Sequence, residues 1–148
     1  MDLKRNLLYT SWTGTSPAEV YVFEHIDTFN GEAAIARRIS IPNFVNRLSI
    51  DSSRDRLYMV AGKGGAIILD GASTAAGSPA ITTLSLPTLG NASAVTIDAA
   101  NDRLYLGFDA QAFVLNDASK LTNSSGAAQA AAIIGPPNTT ISYFAAPQ

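Results

Sequence analysis

The strongest constraint on this chain is an internal repeat. Residues 51–58 read DSSRDRLY, residues 98–105 read DAANDRLY, and a weaker copy at residues 2–9 reads DLKRNLLY. The tyrosines that end these segments, at positions 9, 58 and 105, lie 49 and 47 residues apart. Self-similarity at a fixed period of this length is typical of repeat architectures, in which each copy is one supersecondary unit.

Further matches follow in the same order within each copy. An apolar run that ends in an acid occurs at residues 20–27, 66–70 and 112–117. A second apolar run, which ends at a proline, occurs at residues 39–42, 84–87 and 133–136. Because ordered matches of this kind do not arise easily by chance, we expect three equivalent structural units.

Each copy is predicted to be β-structure, because its short runs are rich in Val, Ile, Leu, Tyr and Thr and are separated by Gly, Pro, Asn, Asp and Ser. In the second copy we predict four strands, a to d, at residues 47–51, 56–61, 66–70 and 81–86. Four short antiparallel strands at this period predict an all-β fold made of β-propeller blades. The alanine-rich segment 126–132 favours a helix by propensity, but its place before a proline-terminated run predicts a loop or a single helical turn leading into a strand.

The residue pattern of the repeat resembles that of a known family. In the second copy Asp51 precedes a polar turn, residues 55–60 read DRLYMV and residues 67–70 read IILD; the third copy follows with Asp98, residues 102–106 and residues 113–117. This pattern resembles the YVTN and lactonase-like propeller repeats, and the resemblance covers nearly the whole chain. It implies the propeller architecture and leaves the activity open, because such repeats occur in enzymes and in binding proteins.

The phase of the repeat predicts an assembly. We expect blade 1 at about residues 2–42 without its inner strand, blade 2 at about 47–87 and blade 3 at about 94–136, while residues 140–146 align with strand a at 94–100. Three four-stranded blades are too few, since propellers typically have four to eight. We therefore predict a head-to-tail homodimer that closes a six-bladed ring, the inner strand of the partner's first blade being supplied by Ile141, Ser142, Tyr143 and Phe144. The alternative is a fragment of a longer propeller, such as part of a larger exported protein, but Met1 and the phase of the ends favour the dimer.

Composition narrows the classes of partner. The net charge is −2 and the lysines and arginines are scattered, so no basic patch indicates nucleic acid. The apolar runs are too short to span a bilayer, and we expect no membrane partner. There is no cysteine, and no apolar run of signal-peptide length follows the basic residues at the start. A cytoplasmic protein is the default expectation.

Several residues of the repeat are expected to be scaffold. Asp51 and Asp98 are predicted to fix the turn between strands a and b by accepting backbone hydrogen bonds, and Asp70 and Asp117 are given a structural role as well. The equivalent tyrosines are predicted to pack between blades with their hydroxyls hydrogen-bonded locally. Arg56 and Arg103 are expected to pair with acids. His25 is the only histidine, which leaves no His-based zinc site within one chain.

Candidate function therefore lies in the loops at one end of the blades, by analogy with other propellers. The b–c and d–a loops place there Trp12, Asn46, Lys63, Asn91, Asp109 and Gln111. A tryptophan near amide side chains predicts a non-enzymatic binding module for a carbohydrate or small polar molecule. The competing interpretation of Trp12 is that it fills a blade interface.

Two other functions stay open. A lactonase-like or calcium-dependent hydrolase would use Asp109, Asn46 and Asn91, since calcium prefers such oxygen ligands, and a protein-interaction scaffold would use an exposed blade face. The scarcity of convergent acids and histidines favours binding over catalysis. We expect no cofactor, with calcium considered only for the hydrolase.

Overall fold

The computed structural model describes residues 1–12, 17–62, 65–86, 90–109, 111–123 and 130–134, the last segment by its backbone alone. The strands form three antiparallel sheets in which each strand pairs with its neighbour along the chain. The predicted all-β fold is confirmed. In the part of the chain described, no helix is long and apolar enough to cross a membrane.

We number the sheets as blades in chain order. Blade 1 has three strands, β1 Leu7–Trp12, β2 Ala18–Glu24 and β3 Arg37–Ile41. Blade 2 has four, β4 Val45–Asp51, β5 Arg56–Ala61, β6 Gly65–Asp70 and β7 Thr82–Ser85. Blade 3 has four, β8 Ala92–Asp98, β9 Arg103–Phe108, β10 Gln111–Asn116 and β11 Ala130–Ile134, with a 3₁₀ turn at Ala118–Lys120 after β10. Strand β11 thus begins inside the alanine-rich segment; residues 124–129 and the expected closing strand, including Ile141–Phe144, lie outside the described residues.

Pairing registers make the three blades superimposable residue by residue. The repeated tyrosines pair with equivalent partners, Tyr9 with Val22, Tyr58 with Ile68 and Tyr105 with Val114. In this register strand c is β2, β6 and β10 in the three blades, and it ends at Glu24, Asp70 and Asn116. The sequence alignment that matched Asp70 with Asp27 and Asp117 was therefore wrong, because the apolar runs end at different distances from the turn that follows them.

Side chains alternate across a strand, so each blade has two packing faces. We call the side that looks towards the next blade along the chain its forward face, and the opposite side its backward face. One core joins the forward face of blade 1 to the backward face of blade 2. A second core joins the forward face of blade 2 to the backward face of blade 3. Both faces of blade 2 are covered, and every residue of β5 is buried.

Two of the repeated tyrosines, Tyr9 and Tyr58, lie in these cores, as the sequence predicted. Tyr58 donates a hydrogen bond of 3.3 Å to the carbonyl oxygen of Ala118. Tyr9 is buried, but its hydroxyl has no hydrogen-bond partner among the described residues, so the prediction of a local partner was wrong there. Burial, with the negative charges of Asp55 and Asp2, raises the pKa of Tyr9 to about 12.

The predicted aspartate turns are present between strands a and b. Asp51 Oδ1 accepts hydrogen bonds from the backbone N–H of Ser53 at 2.9 Å and of Arg54 at 3.1 Å. Asp98 accepts from Asn101 in the same way. Burial by itself raises the pKa of Asp51, but the hydrogen bonds from Ser53 and Arg54 outweigh it and hold that pKa below 3.8. The ionised aspartate is thus the form that holds the turn.

Candidate functional site

The predicted site residues lie at the end of the blades formed by the b–c and d–a loops, which we call the loop end. Trp12 is the last residue of β1, and Asn46 lies in β4. Asn91, Asp109 and Gln111 surround the β9–β10 hairpin of blade 3. Lys63 lies outside the described residues.

Asp109, which follows β9, and Asn91, which precedes β8, are hydrogen-bonded to each other at the loop end of this strand pair. The Asp109 carboxylate accepts a 2.9 Å hydrogen bond from the Asn91 backbone N–H, and the Asp109 N–H donates to the Asn91 carbonyl oxygen at 3.1 Å. Asp109 has a positive φ of 42°, and Gly62 with φ 55° occupies the same hairpin position in blade 2, where its N–H donates to Phe44 O. The carboxylate proposed as a calcium ligand is therefore engaged in holding the β9–β10 turn to the segment that precedes β8.

Trp12 is 56% exposed, and its position on the strand decides where it points. It alternates with buried Leu7 and Tyr9, and so lies on the same side of β1 as Leu8 and Thr10. That side is the backward face of blade 1. The geometry favours the blade-interface interpretation of Trp12 over stacking on a ligand at the loop end.

A groove of about 410 Å³ opens at the loop end of blade 2. Phe44, which is 41% exposed, forms one side of it. Polar groups come from the side chains of Asn43, Thr83 and Ser85. Sequence reasoning placed Phe44 in a d–a loop but did not select it; an exposed aromatic residue flanked by amides was the available signal.

Within the described ranges, no group of three His, Cys, Asp or Glu side chains could hold a metal ion. His25 occupies a left-handed turn position with φ 57°, and its carbonyl oxygen accepts from the N–H and the hydroxyl of Thr28. This histidine is a turn residue in the structure.

Comparison with known proteins shows the fold. No family model and no curated protein matches the chain. Among solved structures, Hsv2 from Kluyvelomyces marxianus is similar with a TM-score of 0.53 at 8% identity, over 93% of this chain and 40% of that one. The β-propeller domain of Cps50 (Swd1) from Myceliophteria thermophila gives 0.48 at 10% identity, over 96% and 57%, and apo AztD from Citrobacter koseri gives 0.47 at 16%, over 86% and 35%.

Hsv2 is a β-propeller protein, and the three antiparallel sheets described above are the blades of the same kind of fold. The chain spans between about a third and three fifths of the lengths of the propellers it matches.

Proposed function

We propose that this protein is a binding module whose ligand is a neutral polar molecule, such as a carbohydrate, held in the Phe44 groove. The observation that carries the proposal is the exposed ring of Phe44 beside Asn43, Thr83 and Ser85. Binding pockets commonly combine an aromatic surface with a few polar groups that fix orientation. The apolar face of a sugar could pack on the phenyl ring of Phe44, and the sugar hydroxyls could hydrogen-bond with the Asn43 amide and the hydroxyls of Thr83 and Ser85.

The charge of the groove supports a neutral ligand. Among the residues that the structure describes, the lining consists of Asn, Phe, Ala, Gly, Ile, Thr, Leu and Ser and includes no ionisable side chain. The hydrolase alternative gains no support from this groove or from the engaged carboxylate of Asp109.

Two finer expectations accompany the proposal. The repeat is of the YVTN type, which the aspartate turns at Asp51 and Asp98 support. The module works in the cytoplasm, with which the absence of cysteine is in keeping.

Binding to a panel of neutral mono- and disaccharides, measured by calorimetry, tests the proposed function. We expect Phe44→Ala to weaken the binding of a positive sugar by about tenfold, since stacked aromatic contacts contribute on the order of 1 kcal/mol beyond burial. Phe44→Tyr keeps the ring and is the matched control, with affinity within about threefold of the parent. A panel with no binder, or full binding by Phe44→Ala, would contradict the proposal.

A further inference from the structure

Each junction between blades contains an arginine that reaches forward. Arg56 is buried between blades 2 and 3, with its Nε 2.7 Å from Asp70 Oδ1. Its guanidinium donates hydrogen bonds to three carbonyl oxygens of blade 3, those of Ala118 at 2.8 Å, Ser119 at 2.5 Å and Leu121 at 2.9 Å. The turn that follows strand c of one blade is thus the acceptor for the arginine of the preceding blade.

The junction between blades 1 and 2 uses the same turn with an arginine from another strand. Leu7 occupies the position of Arg56, and Arg37 in β3 supplies the cation instead. Arg37 donates to the carbonyl oxygen of Ala75 at 3.1 Å, and its Nε lies 3.4 Å from Glu24 Oε1. Ala75 is equivalent to Leu121, so both junctions place a guanidinium on the same carbonyl.

A second forward contact comes from the a–b turns at the opposite end of the blades. Arg5 donates to the carbonyl oxygen of Ser52 in the next blade at 2.6 Å, and its Nε lies 3.8 Å from Asp55. Arg54 repeats this one blade later, with Ala99 O at 3.2 Å and Asp102 at 3.8 Å. An arginine of one turn therefore faces an aspartate of the next.

A backward contact completes each junction. The c–d loop of blade 2 pairs with the outer strand of blade 1, where the Gly77 N–H donates to Arg38 O at 2.8 Å and Gly77 O accepts from the Ser40 N–H. The c–d loop of blade 3 does the same to blade 2, where Asn123 Oδ1 accepts from the Thr83 N–H at 2.8 Å. The c–d loop of each blade after the first is thus hydrogen-bonded to the outer strand of the preceding blade.

The backward face of blade 1 has the composition of a junction face and lacks a cover in the described structure. Its strand residues, at positions that are fully buried in blades 2 and 3, are Leu8, Thr10, Trp12, Tyr21 and Phe23. Beside them lies a groove of about 510 Å³ that is lined mostly by apolar side chains. Met1 and Phe29, which both line it, are 60% and 54% exposed.

The acceptor turn is also present in blade 1. The Thr28 N–H donates to His25 O, as Thr74 does to Gly71 and Lys120 does to Asp117 in the other blades. By this equivalence, the carbonyl oxygens of Ile26, Asp27 and Phe29 correspond to those that Arg56 binds in blade 3.

The forward face of blade 3 carries the complementary half. Arg103 and Tyr105 occupy the positions of Arg56 and Tyr58. Arg103 is exposed, and Gly107, Ala112 and Val114 continue the face. Asn116 stands in blade 3 where Asp70 pairs with Arg56 in blade 2. Hydrogen bonds from Asn101, together with the charge of Arg103, lower the pKa of Asp98.

One pair of substitutions links these two end faces. Asn101 stands in blade 3 where Arg5 and Arg54 stand in the other turns, so the forward-reaching cation is missing there. Asn6 stands in blade 1 where the facing aspartates Asp55 and Asp102 stand in the next blades. The two end turns thus carry asparagine where each internal junction has an arginine facing an aspartate, and the amide of Asn6 donates to the Asp27 carboxylate within its own blade.

We propose that the forward face of blade 3 docks on the backward face of blade 1 of a second copy of this chain, with Arg103 donating to the carbonyl oxygens of residues 26–29 there. The two internal junctions supply the geometry, and the neutral Asn101–Asn6 pair supplies the charge match. Trp12, Phe29 and Met1 are buried by this contact. The proposal does not depend on any ligand at the loop end.

Sedimentation equilibrium of the purified chain from 1 to 100 μM tests the contact. We expect a mass at the upper end that is a multiple of 15.5 kDa, and twice that value for a six-bladed ring. Arg103→Glu and Phe29→Asp should each raise the dissociation constant at least tenfold while circular dichroism stays unchanged. Arg47→Glu has the same change of charge on an exposed strand residue outside both faces, and it should associate like the parent.

The outcomes separate the occupants of this face. A parent chain that is folded and monomeric at 100 μM overturns the proposal and leaves the face to a different partner. An oligomer that both face variants leave intact overturns it as well, because the copies then meet elsewhere. Loss of association by the two face variants, with the control unaffected, establishes the contact.

Discussion

Replacing Arg56 by alanine tests the architecture of the junction most directly. The change removes three hydrogen bonds from a charged donor to buried carbonyls of blade 3. Asp70 is left without its partner, but its side chain is 68% exposed, so water replaces the ion pair at little cost. The loss therefore comes from the carbonyls of residues 118–121 and from the space left beside Tyr58.

The magnitude follows from these contacts. Hydrogen bonds to charged groups contribute about 1.5–3 kcal/mol each, and they are not additive. Leaving a buried acceptor without a donor costs about 1–3 kcal/mol, and we expect Arg56→Ala to lower the free energy of unfolding by about 2–4 kcal/mol. Arg103→Ala removes the equivalent side chain from an exposed position, so its cost in the monomer is about 0.5 kcal/mol or less.

Urea denaturation followed by far-ultraviolet circular dichroism measures both variants. At 1 μM protein the difference between them should be at least about 1.5 kcal/mol in the free energy of unfolding. At 100 μM the Arg103 variant should lose stability relative to the parent, since association stabilises only chains that can dock. Arg56→Lys keeps the charge but not the fork of donors, and it should fall between alanine and the parent. Equal effects of Arg56→Ala and Arg103→Ala at low concentration would refute the assignment of the junction.

Two further predictions concern the turns. Hydrogen bonds hold the pKa of folded Asp51 below its ordinary value of 3.8. The stability that the ionised aspartate contributes is therefore present above pH 3.8 and is lost as the pH falls through the lower folded pKa. In thermal melting between pH 6 and 2, Asp51→Asn should lose less stability on acidification than the parent, and an equal loss would count against the turn. Asn101→Arg restores the donor that Arg5 and Arg54 provide in the other turns. It should lower the dissociation constant of the oligomer about threefold to tenfold, which corresponds to one ordinary hydrogen bond of about 1 kcal/mol at an exposed site. Sedimentation measures the change, and a weaker oligomer would argue that Asn101 does not face the turn of a second copy.

The strands were predictable from sequence because short-range periodicity and the turn residues determine them. Strand β5 has the predicted bounds, and β6 differs from prediction by one residue, Gly65. The aspartate turns were predictable for the same reason, since Asp51 and its donors are only two and three residues apart.

Contacts between blades were harder to predict. The acceptors of Arg56 lie 62 to 65 residues further along the chain, and no local pattern marks a carbonyl oxygen as an acceptor. In blade 1 the cation comes from Arg37 on β3, because Leu7 occupies the arginine position on β1. Only the pairing register shows this change of strand. The groove at Phe44 is likewise formed by three separate segments, so the sequence showed the aromatic residue without its surroundings.

The junctions have a direction, because arginines reach forward and the c–d loops reach backward. Two such ends join head to tail, and a symmetric contact in which both copies use the same surface would not match them. Contacts of this kind produce a closed ring when the rotation per subunit divides a full turn, and an open fibre when it does not. The angle between neighbouring blades therefore decides between a finite particle and a polymer. Substitutions that wedge a junction apart, at small residues such as Gly107 or Ala112, would be expected to shift this protein towards filaments without unfolding any single blade.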